Sequence, residues 1–290
     1  MSYRRWASLA ATILIAGGYY IMDHHEELFG KQSPESMQVG TVSSSSTVVS
    51  SSKTDGAVDY GSVTDKVPTA SLAQSVMSRN VMAQLHAKKI VYNQTGAFVL
   101  DDGNNNLNVD VTSAPYVHLS KPDGEQRPGV ANALLNGTTR QYQNRTETGN
   151  ARTMDPVGWH QLTYDGHKTL WNRGHSIGYA LAGSLKGFDA SEANPKNITT
   201  QTAWANQSSN GDDTNTGQNY YESVVRQALD EHETVRYRVT PVYDGDNLVP
   251  SGSHIEAKST DKKLTLNVFI PNVQPGIKID YATGNGSVVN

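Results

Sequence analysis

The sequence predicts a mixed α+β fold with antiparallel strands. Three segments alternate apolar and polar positions with the two-residue period of a half-buried strand, and a fourth segment repeats apolar residues at the spacing of one helix face. Hydrophobic residues make up 36% of the 290 residues, charged residues make up 18%, and 25 residues are glycine. This polar, turn-rich composition is typical of exported proteins that contain β-structure, and it disfavours a helical coiled coil.

The three predicted strands lie in the C-terminal two thirds of the chain. In each, apolar residues recur at every second position, so one face of the strand would be buried. The apolar positions are Leu107, Val109 and Val111 in the first strand, Val235, Tyr237 and Val239 in the second, and Leu264, Leu266, Val268 and Ile270 in the third.

Residues 220–231 are predicted to form a helix with one apolar stripe facing the core. The residues of that stripe are Tyr221, Val225, Ala228 and Leu229. A further helix is predicted to begin within residues 202–207. Residues 67–87 carry a weaker helical pattern, which indicates either a short helix before the main domain or a part of the stalk that precedes it.

The first 27 residues are predicted to be a signal anchor. Arg4 and Arg5 precede the uncharged residues 6–22, a run near the shortest length that spans a bilayer. Because basic residues stay on the cytoplasmic side, the rest of the chain would lie outside the cell. Cleavage at the small residues 16–18 is the alternative, and it would make the protein secreted.

A flexible, serine-rich stalk is predicted for residues 28–87. Seven of the ten residues 43–52 are serine, and a segment of this composition has too few large apolar residues to form a core. The remaining residues, 88–290, are predicted to form the functional domain, which is long enough to bury a core.

Charge and cysteine content limit the chemistry of the domain. Cysteine is absent, which excludes disulfides, thiolate zinc sites and cysteine nucleophiles. The net charge of −4 provides no overall basic surface, so a polyanion would have to bind in a local groove. Residues 127–186 contain seven basic and three acidic residues, and this excess favours contact with a phosphate backbone. The candidate substrate-binding residues are Arg140, Arg145 and Lys196.

A glycine-rich stretch carries residue types suited to phosphodiester hydrolysis. Arg173, Gly174 and His175 are consecutive, and Asn197 and Asn206 follow. A neutral imidazole can take a proton from water near pH 7 and so generate the nucleophile that a phosphodiester requires. An amide oxygen is a hard ligand suited to Mg²⁺, and a guanidinium matches the charge that develops on the phosphate.

These motifs resemble the signature of the DNA/RNA non-specific endonucleases, the ββα-metal or His-Me finger nucleases related to Serratia nuclease. The matching residues are Arg173-Gly174-His175, Gly178, Asn197, Asn206-Gln207 and the run from Thr216 through Glu222 to Arg226. The similarity spans residues 126–281 and is especially close to streptococcal membrane-anchored nucleases. It implies a ββα-metal nuclease fold in which a central antiparallel sheet is flanked by helices.

The resemblance also implies a role for each matching residue. His175 would be the general base, and Asn206 would be the direct protein ligand of Mg²⁺, with Mn²⁺ as an alternative ion. Asn197 would hold the geometry of the site through hydrogen bonds. Glu222 would support the metal through its water shell, and Arg226 would stabilise charge on the phosphate. On a helix, residues four apart share one face, so Glu222 and Arg226 could reach the same cleft.

Two positions in the motif leave alternatives open. Asn172 stands where most family members carry Asp, and the loss of this negative charge would lower the metal affinity or the basicity of His175. Arg173 would either act in catalysis or hold its own loop.

Together these features predict a membrane-anchored endonuclease outside the cytoplasm that cleaves DNA, and also RNA, with little sequence preference. The predicted role is DNA uptake or degradation, with contact to DNA-uptake machinery. A secreted nutritional or virulence DNase and a non-catalytic surface module that binds nucleic acid are the alternatives. A wall glycosidase or peptidase is disfavoured, because the sequence has no HExxH motif and no compelling carboxylate pair near the histidine.

Overall fold

The protein is described by a computed structural model that covers residues 57–207 and 217–289. Within these ranges the chain forms five α-helices and 13 strands. The helices are α1 (Ala70–Gln74), α2 (Arg79–Leu85), α3 (Tyr179–Ala182), α4 (Ala203–Asn206) and α5 (Gly217–Asp230). The strands are β1 (Ile90–Tyr92), β2 (Phe98–Leu100), β3 (Tyr116–Leu119), β4 (Ala131–Leu135), β5 (Thr163–Tyr164), β6 (Lys168–Thr169), β7 (Trp171–His175), β8 (Ile198–Thr202), β9 (Val235–Val242), β10 (Gly252–Ser259), β11 (Thr265–Pro271), β12 (Ile277–Asp280) and β13 (Asn285–Val288).

A seven-stranded antiparallel sheet forms the centre of the fold, in the order β1-β2-β11-β10-β9-β4-β3. Its register places Ile255 of β10 opposite both Val239 and Val268, and all three side chains are buried. The strands predicted around residues 235–239 and 264–270 are therefore confirmed as β9 and β11. Each of them pairs with β10, which lies between them in the sheet.

The prediction of a strand at residues 107–111 is wrong. Leu107 and Val109 are buried as the alternation indicated, but the segment forms no strand. Its backbone bonds a side chain instead: the Arg236 guanidinium donates a hydrogen bond to the carbonyl of Asn108. Alternation reports which side chains are buried, and this segment meets that condition without pairing to a neighbouring strand.

Helix α5 covers one face of the central sheet. It begins three residues before the predicted start, and Val225 and Leu229 are completely buried in the main core together with Tyr237 of β9. The predicted short helix near residue 203 is also confirmed as α4. The hydroxyl of Thr202 begins α4 by accepting a hydrogen bond from the backbone N–H of Ala205, as an N-cap residue does.

The proposed boundary between stalk and domain at residue 88 lies too late in the chain. Helices α1 and α2 precede it, and Leu72, Val81 and Leu85 are buried in the main core. Their spacing gave only a weak signal because the two helices are short and separated by a turn. Residues 57–87 thus belong to the folded domain.

The predicted signal anchor and the serine-rich segment 43–52 lie outside the described residues. Among the helices that the structure does describe, none is long and apolar enough to cross a bilayer.

A second, smaller hydrophobic cluster supports strand β7. It contains Leu170 and Trp171 together with Ile277 of β12. The Trp171 indole N–H donates to the carbonyl of Gly284, and the Gln161 side chain bonds both the N–H and the carbonyl of Trp171. These contacts fix the start of β7 and therefore the position of the histidine at its end.

Candidate active site

The predicted site residues lie around a two-stranded ribbon and the helices next to it. Strands β7 and β8 pair antiparallel with His175 opposite Ile198, and α4 follows β8 directly. His175 is the last residue of β7, and Asn206 is the last residue of α4. The ribbon and helix thus bring together residues that are about 30 positions apart in sequence.

Helix α5 supplies the residues that contact the histidine. The Nε2 atom of His175 lies 3.1 Å from Oε1 of Glu222. One turn earlier on α5, the Gln218 amide donates to Glu222 Oε1 at 2.9 Å and to the backbone carbonyl of His175 at 2.7 Å. Gln218 therefore fixes the carboxylate and the backbone of His175 relative to each other.

The Glu222 carboxylate is buried but remains charged. Burial by itself raises the pKa of Glu222, but the nearby charges of His175 and Arg226 and the hydrogen bonds from His175 and Gln218 outweigh burial and leave this pKa below its ordinary value. The Arg226 guanidinium lies 3.7 Å from Glu222 Oε2 and donates to Asn219 at 3.1 Å. The buried site thus holds one negative and one positive charge side by side.

Gly178 makes room for this carboxylate. A Cβ atom at position 178 would lie only 2.7 Å from Glu222 Oε2. The backbone φ of Gly178 is −66°, which any residue can adopt, so close approach rather than backbone freedom requires glycine here. This explains why a glycine follows the Arg-Gly-His motif by three residues.

The loop after β7 is held by Asn197. The Asn197 side-chain oxygen accepts from the Ile177 N–H at 2.9 Å, and its amide nitrogen donates to the Ile177 carbonyl at 3.0 Å. Asn197 is 1% exposed, so both bonds are shielded from water. These contacts agree with the geometry-holding role that the family resemblance implies for Asn197.

Asn206 lies next to the start of α5. There is no room for a side chain at Gly217, where a Cβ would lie 2.4 Å from the carbonyl oxygens of Trp204 and Ala205. Gln218, the next residue, bonds the carbonyl of His175. The close packing of α4 against α5 therefore places Asn206 beside the helix that carries Gln218 and Glu222.

The Asn206 side chain carries an oxygen suited to a metal. Asn206 is buried, and its Oδ1 has no hydrogen-bond partner among the described residues, which is costly unless a ligand satisfies it. Within residues 57–207 and 217–289, no group of three or more His, Asp or Glu side chains could hold a metal ion. Two of the oxygen donors that this region offers are the amide of Asn206 and the carboxylate of Glu222.

Arg173 holds a loop in this structure. Its Nε donates to the carbonyl of Met154 at 2.6 Å, its Nη2 bonds Asp155 at 2.7 Å, and its guanidinium stacks on the Trp159 ring. Of the two alternatives left open for Arg173, these contacts are those of a residue that anchors the 154–159 loop.

The three candidate substrate-binding residues lie in different surroundings. Arg140 is buried against α5, where it forms a two-pronged ion pair with Asp230. Arg145 bonds the carbonyl of Ala190 and stacks on the Tyr179 ring. Lys196 is exposed at the rim of an open groove of about 530 Å³. Only Arg140 lies on the α5 side of the site, where its charge acts on Arg226.

The role of Gln218 and the reason for glycine at position 178 were not predicted from the sequence. A signal for Gln218 was present, because it stands four residues before Glu222 and so shares its helix face. Asn172 lies within β7, paired in register with Gln201 of β8.

The first strand of the ribbon ends in His175, and its second strand leads into a helix that ends in Asn206. This arrangement is that of a nuclease of the ββα-metal class. A model of the DNA/RNA non-specific endonuclease family matches residues 78–283. The chain belongs to the DNA/RNA non-specific endonuclease family, and it is an endonuclease by that membership. The predicted α+β fold and the predicted family are thus confirmed.

Two solved structures show the similarity in detail, both of NucA from Streptococcus agalactiae. The structure with no metal bound is 48% identical over 67% of this chain and 88% of NucA, with a TM-score of 0.60. The structure with a magnesium ion bound is 43% identical over 73% of this chain and 96% of NucA, with a TM-score of 0.65.

Proposed function

We propose that this endonuclease hydrolyses phosphodiester bonds of DNA, and also of RNA, in a reaction that depends on a divalent cation and has little sequence preference. The observation that carries the proposal is the contact between His175 and the buried, charged Glu222, together with the unpartnered amide oxygen of Asn206 on α4, the helix that packs against α5 and β7. These adjoining elements supply a base, a cation ligand and an arginine.

The residues present fit a hard divalent cation. The free oxygen of Asn206 would bind it directly, and the carboxylate of Glu222 would support it, which suits Mg²⁺ or Mn²⁺. The magnesium ion in the similar NucA structure supports a divalent cation as the cofactor. Such a cation would neutralise charge on the scissile phosphate and on the leaving oxygen.

His175 acts as the general base in this proposal. When the Nε2 N–H donates a hydrogen bond to Glu222, the ring lone pair lies on Nδ1, which can accept a proton from the attacking water. The negative charge of Glu222 compensates the positive charge that the imidazole then gains. Gln218 and Gly178 contribute by holding the carboxylate in place.

Arg226 meets the charge that develops on the phosphate. Its guanidinium is 17% exposed and lies beside Glu222, so it is fixed before the substrate arrives. A preorganised cation in a site of low dielectric stabilises a transition state more than a solvated one does. Because these groups act on the sugar-phosphate backbone, which is alike at every step, the cleavage has little sequence preference.

Cleavage assays with the full-length chain in mild detergent test this proposal. Plasmid DNA and RNA are incubated with Mg²⁺, with Mn²⁺ or with a chelator, beside His175→Ala and the control His167→Ala, which changes an exposed histidine. We expect nicking that requires the cation, falls about 10²- to 10⁴-fold in His175→Ala and is unchanged in His167→Ala. Binding without cleavage by the wild-type chain would instead favour the non-catalytic binding module.

We further propose that residues 1–27 anchor the chain in the membrane, with the nuclease domain outside the cell, and that the enzyme acts in DNA uptake or degradation. The basic residues before the uncharged run 6–22 support this orientation. Protease treatment of intact cells should remove the domain if it is exposed there. Deleting the gene should lower transformation efficiency, and unchanged uptake would favour a nutritional or virulence role.

A further inference from the structure

One aromatic side chain near the site is unusually exposed. Tyr142 is 70% exposed, more than any other large hydrophobic residue in the described part of the chain. It lies two residues after Arg140, on the side of the molecule that α5 covers. The other aromatic rings in the described residues, apart from Tyr220, are buried or half-buried, since exposing one to water forgoes about 2 kcal/mol of burial energy.

The exposed ring is nevertheless held in place. The Tyr142 hydroxyl donates to Asp230 Oδ1 at 2.6 Å, and the Arg140 guanidinium lies 4.7 Å from the ring centroid. Arg140 itself bonds Asp230 at 2.9 and 3.1 Å and the carbonyl of Ala180 at 2.5 Å. One face of the ring therefore rests on a fixed cation, and the other is open to solvent.

The residue that holds the ring, Asp230, lies on the same helix as Glu222 and Arg226. Asp230 follows Glu222 by eight residues on α5, about 12 Å along the helix axis, and Arg226 lies halfway between them. One strand of a duplex rises about 3.4 Å per nucleotide, and an extended single strand rises more, so this distance corresponds to at most about four nucleotides of a strand whose scissile phosphate lies at His175. Arg140 and Arg226 balance the charges of Asp230 and Glu222, so this path carries no net negative charge that would repel phosphate.

We propose that Tyr142 stacks against a base of the substrate strand, a few nucleotides from the bond that is cleaved. This deepens the proposed nuclease function and rests on it. An aromatic ring accepts any base, because every base has a flat π-face, so the contact adds affinity without sequence preference. Only an unstacked base can use it, and the preferred substrate at this position is therefore single-stranded DNA or RNA.

Binding measurements separate stacking from cleavage. Fluorescence anisotropy is recorded for labelled single-stranded DNA, single-stranded RNA and duplex DNA with the full-length His175→Ala chain. Tyr142→Leu or Tyr142→Phe is then added to that background. We expect Tyr142→Leu to weaken single-strand binding at least about fivefold, as the loss of one stacked base does. Tyr142→Phe keeps the ring and should bind within about twofold of the parent, and duplex binding should change less than about twofold.

Tyr220→Leu is the matched control. Among the described residues Tyr220 is the next most exposed aromatic residue, at 39%, and it points about 200° around α5 from Glu222. Its substitution should leave single-strand binding unchanged. Thermal unfolding of each variant confirms that the surface changes leave the fold intact.

Steady-state cleavage with the active chain separates this inference from the proposed function. Tyr142→Leu should raise the KM for single-stranded DNA. It should leave the cleavage rate of a small-molecule phosphodiester unchanged, because such a substrate is too short to reach the ring. If the wild-type chain cleaves none of these substrates, the nuclease proposal fails. If it cleaves them and Tyr142→Leu binds single strands as tightly as its parent, or if Leu and Phe lose equally, stacking is overturned.

Discussion

Replacing Gly178 by alanine tests whether the position of the Glu222 carboxylate controls activity. The new Cβ would lie 2.7 Å from Glu222 Oε2 and 3.2 Å from its carboxyl carbon. An unstrained carbon–oxygen contact is about 3.3 Å, so the carboxylate must move by about 0.6 Å. Alanine can adopt the φ of −66° at this position, and the backbone therefore need not move.

This displacement falls on the hydrogen bond to His175. The bond is 3.1 Å long, near the upper end of the ordinary range, so a movement of about 0.6 Å lengthens or misaligns it. A 1 Å error in a catalytic group costs about 10²-fold in rate, and we expect kcat to fall about tenfold. The Tm should fall by no more than about 4 °C, since one weakened hydrogen bond costs about 1 kcal/mol.

Plasmid nicking under saturating substrate gives kcat, and circular dichroism gives Tm. Gly124→Ala is the matched control, because a Cβ at Gly124 meets no atom within 4 Å, and it should retain full activity. A Gly178→Ala enzyme with the kcat of the wild type would refute the reasoning. A loss of activity that only follows a loss of folded protein would refute it equally.

Three further substitutions, at Asn197, Gln218 and Asp230, test the hydrogen bonds and the ion pair around the site. Asn197→Ala leaves the buried N–H and carbonyl of Ile177 without partners, so the free energy of unfolding measured in urea should fall by about 2 to 5 kcal/mol. Gln218→Ala frees the Glu222 carboxylate and should lower kcat about tenfold with KM within about twofold in steady-state cleavage. Hydrogen bonds from Arg140 hold the pKa of Asp230 below its ordinary value of 3.8. The stability that Asp230 adds is complete above pH 3.8 and is lost as the pH falls through the lower, folded pKa. Asp230→Asn should therefore reduce the acid loss of Tm between about pH 5 and pH 2.

Each of these results has a clear opposite. An Asn197→Ala chain as stable as the wild type would show that water satisfies Ile177. A Gln218→Ala enzyme that changes KM alone would place Gln218 in substrate binding. A Tm that falls with acid equally in Asp230→Asn and wild type would assign the acid sensitivity to other carboxylates.

Sequence alone predicted the elements whose pattern is local and strong. Residues 235–239 and 220–231 bury one face each. Residues 264–270 are buried on both faces, but their apolar residues still alternate, so all three periodicities are visible before folding. The same rule misassigned residues 107–111, because burial of alternate side chains does not require a neighbouring strand. The helices before residue 88 are too short to give a clear period, although the core needs their apolar residues.

The candidate site was predicted from residue types, but its connections were not. His175, Asn197, Asn206, Glu222 and Arg226 could be named because a motif fixes their order. Which atoms meet depends on how α5 crosses the ribbon, and that is decided by packing between distant segments. For the same reason Arg173, which the motif places beside the histidine, turned out to hold a neighbouring loop.

The burial of α1 and α2 in the main core determines where the domain can be cut. Leu72, Val81 and Leu85 are almost completely buried, and together they contribute about 5 to 9 kcal/mol of burial energy, a large part of the total stability of a domain. Under the proposed membrane anchoring, a protease that cuts before Ala57 would release a domain that keeps α1 and α2, whereas a cut after α2 would remove both helices and inactivate the enzyme. The two outcomes thus differ by about 30 residues in the position of one cut.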